Sequence, residues 1–274
     1  MAQRVLFISQ EVTPYLPETE ISTISRNLPQ GIQERGKEIR TFMPRYGLVN
    51  ERRNQLHEVI RLSGMNLIID DTDHPLIIKV ASIQSARMQV YFIDNDDYFQ
   101  RKFIFTDAEG NEFPDNDERS IFFCRGVLET VKKLRWIPDV VHCHGWFAAL
   151  TALYIKRAYK DDPCFANAKI VLSVYDNDYK VPFESNFADL VKMDGITESD
   201  LSEVIGKEIS CEDLYKFVID FCDGVIQGSE SVNQNVMDYA RAKGMPVLDH
   251  QPADVYIDKF NEFYDLVWET ANNK

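Results

Sequence analysis

Polar and aromatic side chains follow four apolar runs of this sequence, at the points where buried strands would end. Their hydroxyl, imidazole and carboxylate groups could hydrogen-bond a polar ligand, and their aromatic rings could stack on it. Because ligands of an open parallel sheet bind beyond the carboxyl ends of its strands, the four groups are expected to line one cleft. The groups are Ser9–Pro14, His144–Trp146, Tyr175–Asp178 and Gly228–Glu230. Within them, the candidates for substrate contact are Thr13, His144, Trp146, Tyr175 and Asp176.

Other kinds of catalytic site are not supported by the residue pattern. His142 and His144 share one face of a strand while Cys143 points away, so the three cannot chelate one metal ion. Ser229 lies in a Gly-Ser-Glu sequence, which lacks the Gly-x-Ser-x-Gly pattern of a nucleophile elbow. The alternating charges of residues 115–119 are typical of a helix cap and lack the spacing of a calcium-binding loop. Catalytic residues therefore stay unidentified, and neither a metal nor a cofactor is expected.

Charge excludes some classes of partner. The 274 residues carry 30 basic and 44 acidic side chains, a net charge of −14. Residues 1–175 hold 22 basic and 23 acidic side chains, whereas residues 176–274 hold 8 and 21. So acidic a surface repels phosphate backbones and anionic lipid, which makes nucleic acid and membrane poor partners. We expect a cytoplasmic location. The number of cysteines is odd (5) and no Cys-x-x-Cys pair occurs, and neither a signal peptide nor a long apolar run is present.

The first 45 residues predict a β-α-β unit. Arg4–Ser9 is an unbroken apolar run that suits a strand buried on both faces. Apolar residues at spacings of 3, 4 and 4 over Ile21–Ile32 predict a helix that ends near Gly36, and Glu38–Met43 reads as the next strand. Such a unit favours a mostly parallel sheet.

Residues 56–94 have short apolar runs without helical spacing, and we interpret them as an insertion of β-hairpins. A long acidic loop follows, and a helix capped at Asp117 or a neighbour is predicted to run to Leu134. The strand–helix alternation then resumes. Strands are predicted at Pro138–Cys143, Lys169–Val174 and Gly224–Gln227, and helices at Phe147–Tyr159, Cys211–Phe221, Ser229–Ala242 and Tyr256–Trp268. We expect one domain over residues 1–250 and a last helix, within 251–274, that packs back on it through Phe260, Phe263 and Val267.

Seven short motifs occur in a fixed order along residues 4–146. They are Val5–Phe7, Glu11–Pro14, Leu28–Pro29, Met43–Tyr46, Asp97–Arg101, Asp115–Arg119 and Pro138–Trp146. In this order and spacing they resemble the N-terminal domain of bacterial glycogen synthases and plant starch synthases, which transfer glucose from ADP-glucose to a growing α-1,4-glucan. The resemblance implies an α/β, Rossmann-like fold, with a mostly parallel sheet, helices on both faces and a hairpin insertion. It would be one half of a GT-B fold, whose second domain this chain does not cover.

The sequence departs from that family at the positions that would hold the donor. The family has Lys-x-Gly-Gly-Leu at the first helix, where backbone N–H groups and a lysine bind the diphosphate. Here the lysine position is Pro17 and the second glycine is Glu20. The family's His-x-His-Asp-Trp has Gly145 in place of the aspartate, and its His-Asn strand end aligns with Tyr175-Asp176. Trp146 and Tyr175 could stack on a sugar in an open groove, or pack in the core and plug it.

Three functions remain open from the sequence. The chain could be half of an ADP-glucose glucosyltransferase whose missing domain comes from a second polypeptide. It could instead be a non-catalytic relative that binds α-glucan or a partner enzyme, which fits the altered loop best. A separate hydrolase or other enzyme has little support, because no acid–base pair or nucleophile stands out. In each case ADP-glucose is expected to bind weakly.

Overall fold

The computed structural model describes residues 2–272, and these form a single large sheet with helices on both faces. The ten strands are β1 (Arg4–Ser9), β2 (Glu38–Pro44), β3 (His57–Glu58), β4 (Met65–Ile69), β5 (Thr72–Ile83), β6 (Met88–Asp94), β7 (Val140–His144), β8 (Lys169–Val174), β9 (Gly224–Gln227) and β10 (Val247–Leu248). The helices are α1 (Glu20–Glu34), α2 (Asp96–Phe99), α3 (Asn116–Leu134), α4 (Trp146–Ala149), α5 (Thr151–Lys156), α6 (Phe187–Val191), α7 (Cys211–Ile219), α8 (Gln234–Ala242) and α9 (Tyr256–Asn272). None of the helices described is long and apolar enough to cross a lipid bilayer.

β1 lies at the centre of the sheet, as its unbroken apolar run predicts. The strand order is β10-β9-β8-β7-β1-β2-β6-β5-β3, with β4 paired to β5 alone. β1 pairs in parallel with both neighbours, so Phe7 lies between Thr41 of β2 and His142 of β7. The predicted α/β fold with a mostly parallel sheet is therefore confirmed.

The region predicted as a hairpin insertion extends this sheet at one side. β5 pairs antiparallel with β3, β4 and β6, as hairpins do. β6, however, pairs in parallel with β2 from Thr41 to Pro44, so it belongs to the main sheet. The insertion is thus continuous with the domain core, because the apolar run of β6 is buried between its two neighbours.

Two apolar clusters cover the two faces of the sheet. The larger cluster lies on the side of α3, α4 and α7. The smaller one joins α1 and α9 to residues of β1, β7, β8 and β9. The side chains that α9 contributes to it are all nearly inaccessible: Phe260 (3% exposed), Phe263 (4%), Tyr264 (0%) and Val267 (1%). The last helix thus covers the centre of the sheet, whereas a domain boundary at residue 250 stays a prediction.

Several helix ends differ from the sequence prediction, and side-chain hydrogen bonds explain three of them. The helix predicted over Phe147–Tyr159 is divided at Leu150, where the carbonyl of Phe147 accepts the Ser120 hydroxyl at 3.0 Å. α8 begins at Gln234 with Asn233 as its cap, because the Ser229 hydroxyl is engaged elsewhere. The side chain of Asp115 does not cap α3 but forms an ion pair with Arg101.

Candidate functional site

The carboxyl ends of β1, β7, β8 and β9 bring the four predicted residue groups to one edge of the sheet. Gln10, which follows β1, accepts a hydrogen bond from the Asn177 side chain at 3.2 Å. The backbone N–H of Asp176 donates to the Ser229 hydroxyl at 3.0 Å. The loops after β1, β8 and β9 are therefore in direct contact, as expected for neighbouring strands of one sheet. Polar contacts between the loops fill the space where a ligand cleft was predicted.

Tyr175 occupies the middle of this edge. Its ring packs so closely on Gly228 that a Cβ atom at position 228 would lie 2.6 Å from it. Its hydroxyl forms a hydrogen bond of 2.7 Å with Nδ1 of His144, and both side chains are buried. Burial raises the pKa of Tyr175 and lowers the pKa of His144 to about 3, so both groups are neutral near pH 7. Neither side chain reaches solvent, so for Tyr175 the alternative of core packing that plugs the groove applies, and a substrate-binding role for either residue stays a prediction.

His142 and His144 form a buried pair of closely packed imidazoles, tilted by 34° to each other. Their ring centroids are 3.9 Å apart, whereas Cys143 packs into the larger cluster on the other face, as strand alternation predicts. Nδ1 of His142 lies 2.6 Å from the Tyr264 hydroxyl, and Nε2 lies 2.7 Å from the Ser173 hydroxyl. Burial, and then the neighbouring His144, hold the pKa of His142 well below its usual range. Within residues 2–272, no three His, Cys, Asp or Glu side chains are arranged to hold a metal ion.

Trp146 lies in an aromatic cluster below this edge. It is 1% exposed, and its centroid lies 4.9 Å from that of Phe105 and 5.0 Å from that of Tyr179. Its indole N–H donates to the carbonyl of Asn177 at 3.2 Å. With both faces packed and its donor satisfied, the ring has no surface on which a sugar could stack. The alternative interpretation, core packing, applies to this residue.

The loop at the start of α1 is closed by its own side chains. Thr19 caps the helix, because its hydroxyl accepts from the backbone N–H of Ser22 at 3.0 Å. The hydroxyl of Ser22 in turn accepts from the backbone N–H of Thr19 at 2.8 Å. The Thr19 hydroxyl also donates to the carboxylate of Glu11 at 2.5 Å. The carboxylate of Glu20 accepts a short hydrogen bond from Ser229 at the end of β9. The first turn therefore presents the carboxylate of Glu20 and an N–H group of Ser22 that is already bonded, which do not suit a diphosphate.

A cavity of about 700 Å³ opens beside this turn, between α1, the end of β9 and the start of α9. Glu18 and Glu20 lie on one of its walls, and Tyr256 and Phe260 on another. Two carboxylates in one half-open cavity repel anions, by about 1 to 4 kcal/mol for each charge pair near 4 Å.

Thr13 and Asp176 are the two predicted residues that reach solvent. Thr13 is half-buried, and its backbone N–H donates to the carbonyl of Ser22 in α1 at 3.1 Å. Asp176 is exposed, with its backbone held by Ser229. A role for either residue in substrate binding stays a prediction.

Gly145 has a backbone conformation that its type alone allows. Its φ of 77° and ψ of 177° fall in a region that is essentially restricted to glycine. A Cβ atom there would lie 3.0 Å from Oε1 of Gln10 and 3.4 Å from Nδ2 of Asn177. The aspartate that the resembled family has at this position would strain the backbone and would displace the side-chain ends of Gln10 and Asn177.

We therefore expect Gly145→Asp to destabilise the chain by about 2 to 4 kcal/mol, from backbone strain and crowding together. The measurement is urea-induced unfolding. Gly110→Asp is the matched control, because Gly110 also has a positive φ of 86° but no atom within 4 Å of its would-be Cβ. Equal losses in the two variants would contradict the crowding at position 145.

No local residue pattern indicates the contacts that close this edge. Glu20 and Ser229 are 209 positions apart, and Gln10 and Asn177 are 167 apart. Tyr264 reaches His142 from a helix 122 positions later. Pairings of this kind depend on the sheet order, which no local residue pattern specifies.

A family of known proteins matches the part of the chain that forms this sheet. Residues 4–249 match the family model described as the starch synthase catalytic domain. The chain belongs to the starch synthase catalytic domain family.

Individual relatives show how much of such a protein this chain represents. It is 39% identical over 174 residues to a glycogen synthase of Chlorobium luteolum, and 37% identical to one of Chlorobaculum tepidum. In both alignments 63% of this chain matches 36% of the relative, so the matched part is about a third of the relative's length. The fold resembles the catalytic domain of starch synthase IV from Arabidopsis thaliana, solved with ADP and acarbose, with a TM-score of 0.69 and 16% identity. The match covers 91% of this chain and 52% of that one, and the fold is one Rossmann-like half of a GT-B glycosyltransferase.

Proposed function

We propose that this chain acts in α-glucan synthesis as the N-terminal half of an ADP-glucose-dependent glucosyltransferase, and that it does not catalyse transfer by itself. Membership of the starch synthase family supports the reaction class. The observation that carries the second part is the position of Glu20. Its carboxylate lies at the first turn of α1 and is held by Ser229, where the resembled family has a glycine that admits the diphosphate. An anion fixed at this point opposes the binding of another.

In this proposal the donor-binding residues are supplied from outside residues 1–274, for instance by a second polypeptide. Thr13 and Asp176, which reach solvent at the carboxyl edge of the sheet, are the proposed contacts to glucan or to that polypeptide. The cytoplasm is the proposed location of this reaction, because five widely spaced cysteines without a Cys-x-x-Cys pair suit a reducing compartment.

A second candidate is a non-catalytic protein that binds α-glucan or a partner enzyme. The packing of Tyr175 against Gly228 favours it, because the ring fills the space at the end of β8 and β9. In this case the family fold would be retained as a binding surface, without a donor site.

Two measurements on residues 1–274 test the proposal. The first follows incorporation of labelled glucose from ADP-glucose into glycogen, for which we expect no rate above the protein-free blank. The second measures co-sedimentation with insoluble α-glucan, for which we expect binding that Asp176→Ala weakens. Turnover by the chain alone would contradict catalytic incompleteness. If neither turnover nor glucan binding is observed, this chain does not bind the glucan. The candidate function that then remains is binding of a partner enzyme.

A further inference from the structure

A second cavity, at the opposite edge of the sheet from the candidate site, is lined by basic side chains. It has a volume of about 480 Å³ and lies at the amino ends of β2 and β6. Lys37 and Arg40 come from the start of β2, and Arg87 directly precedes β6. Three cations against one acidic lining residue, Glu38, are unusual in a chain of net charge −14.

Two of these cations are without an acidic partner. Lys37 is paired with Asp265 at 2.6 Å, and Glu38 is paired with Arg4 at 3.1 Å. Within residues 2–272, neither Arg40 nor Arg87 forms an ion pair. The lysine and the glutamate thus neutralise groups outside the cavity, and two guanidinium charges remain uncompensated.

Arg40 is held in place by its surroundings. Its guanidinium lies 5.6 Å from the centroid of the Trp136 ring, and Nη1 donates to the carbonyl of Ile39 at 3.3 Å. Its Nε atom is buried and has no hydrogen-bond partner among the described residues. A buried donor without a partner destabilises the folded chain, so a ligand that accepts from this guanidinium would be favoured.

Arg40 lies on β2, and Arg87 lies just before β6, the neighbouring strand. Thr41 of β2 pairs with Val90 of β6 in the parallel register. Arg40 immediately precedes Thr41, and Gln89 immediately precedes Val90. Arg87 lies two residues before Gln89 and has a left-handed φ of 50°, at the end of the short 3-10 helix Gln84–Ala86. Both side chains line the same cavity, so both guanidinium groups can reach one anion bound in it.

We propose that this cavity binds a small phosphomonoester. Guanidinium groups match phosphate oxygens through paired N–H donors, which makes two of them a suitable site for a dianion. The volume falls in the range of about 300 to 1,000 Å³ typical of small-molecule pockets, so the cavity has room for an organic group beside the phosphate. Gln33 and Gln89, which also line it, supply amide groups for hydroxyls of that organic group.

Calorimetric titration of residues 1–274 with glycerol 2-phosphate, with inorganic phosphate and with glycerol tests this proposal, at constant ionic strength set with potassium chloride. We expect glycerol 2-phosphate to bind at least as tightly as inorganic phosphate, and glycerol not to bind. Arg40→Gln and Arg87→Gly should each weaken the ester by about tenfold or more. Arg87→Gly is expected to fold well, because glycine accepts the positive φ at this position without strain.

Arg135→Gly is the matched control. Arg135 is an exposed arginine with a φ of 52° at the end of α3, and it does not line the cavity. Its replacement removes the same charge from the same backbone conformation and should leave the affinity for the ester unchanged. Three outcomes would overturn the proposal: no binding of the ester at millimolar concentrations, weaker binding of the ester than of inorganic phosphate, or an equal loss in the control variant. None of these depends on whether the chain transfers glucose.

Discussion

Deleting residues 255–274 should abolish cooperative folding of this chain at room temperature. The deletion removes four apolar side chains of α9 that are almost fully buried, and it uncovers the apolar residues of β1, β7, β8 and β9 beneath them. Their combined loss is on the order of 10 kcal/mol, and natural domains are stable by only about 5 to 15 kcal/mol. Urea-induced unfolding followed by circular dichroism measures the effect, and the exposed patch should promote aggregation.

Two single substitutions in the same helix make this expectation sharper. Phe263→Ala should cost about 3 to 5 kcal/mol, because the ring is 4% exposed and packs against the backbone of Gly224. Leu266→Ala, at a side chain that is 50% exposed, should cost less than about 1 kcal/mol. If the truncated chain melted almost unchanged and the two substitutions had equal effects, α9 would be a free helix that serves a partner.

Lowering the pH from 7 to 5 should destabilise the fold through His142 and His144. Both imidazoles are buried and neutral, with folded pKa values below the usual value of about 6.5, which for His144 is about 3. The unfolded chain therefore takes up protons that the folded chain does not, once the pH falls below 6.5. Above pH 6.5 the full contribution of the two neutral imidazoles to the free energy of unfolding is present. Below pH 6.5 this contribution falls as the pH approaches the folded pKa values, and the loss for the pair at pH 5 is about 4 kcal/mol.

Asp117 acts in the opposite direction. Burial raises its pKa to about 6, so the folded chain binds a proton there before the unfolded chain does, and this adds about 1 kcal/mol of stability by pH 5. We therefore expect a net loss of about 2 to 3 kcal/mol in urea-induced unfolding, and a smaller pH dependence in His144→Gln.

Imidazole NMR signals distinguish this origin from a general effect of acid. In the folded chain at pH 5, the imidazoles of His142 and His144 should both remain neutral, because burial lowers their pKa values. Titration of either imidazole near pH 6.5 in the folded chain would contradict the buried, neutral pair.

Much of the fold was predictable because its signals are local. The unbroken apolar runs at Arg4–Ser9 and Lys169–Val174 define strands buried on both faces, and the structure has them at those residues. The apolar stripe of the last helix likewise identified Phe260, Phe263 and Val267 as buried. Helix boundaries were less predictable where a distant side chain competes for a backbone group, as Ser120 does at Phe147.

The candidate site was predictable only in part. The rule that ligand-facing loops follow parallel strands predicted that the four residue groups meet at one edge of the sheet, and they do. It could not reveal that Tyr175 turns inward to His144, because a tyrosine after a strand is compatible with either an open groove or a plugged one. The substitutions at Pro17 and Glu20 were visible in the sequence, but the pairing of Glu20 with Ser229 depends on the tertiary structure.

The most direct test of a closed donor site is calorimetric titration of residues 1–274 with ADP-glucose. Glu20 opposes the diphosphate, Thr19 and Ser22 satisfy each other's N–H groups, and Pro17 carries no cation. We expect a dissociation constant no tighter than about 1 mM, which corresponds to a binding free energy of about −4 kcal/mol. A micromolar dissociation constant would contradict the account, because it would require this loop to admit a nucleotide sugar despite the carboxylate fixed in it.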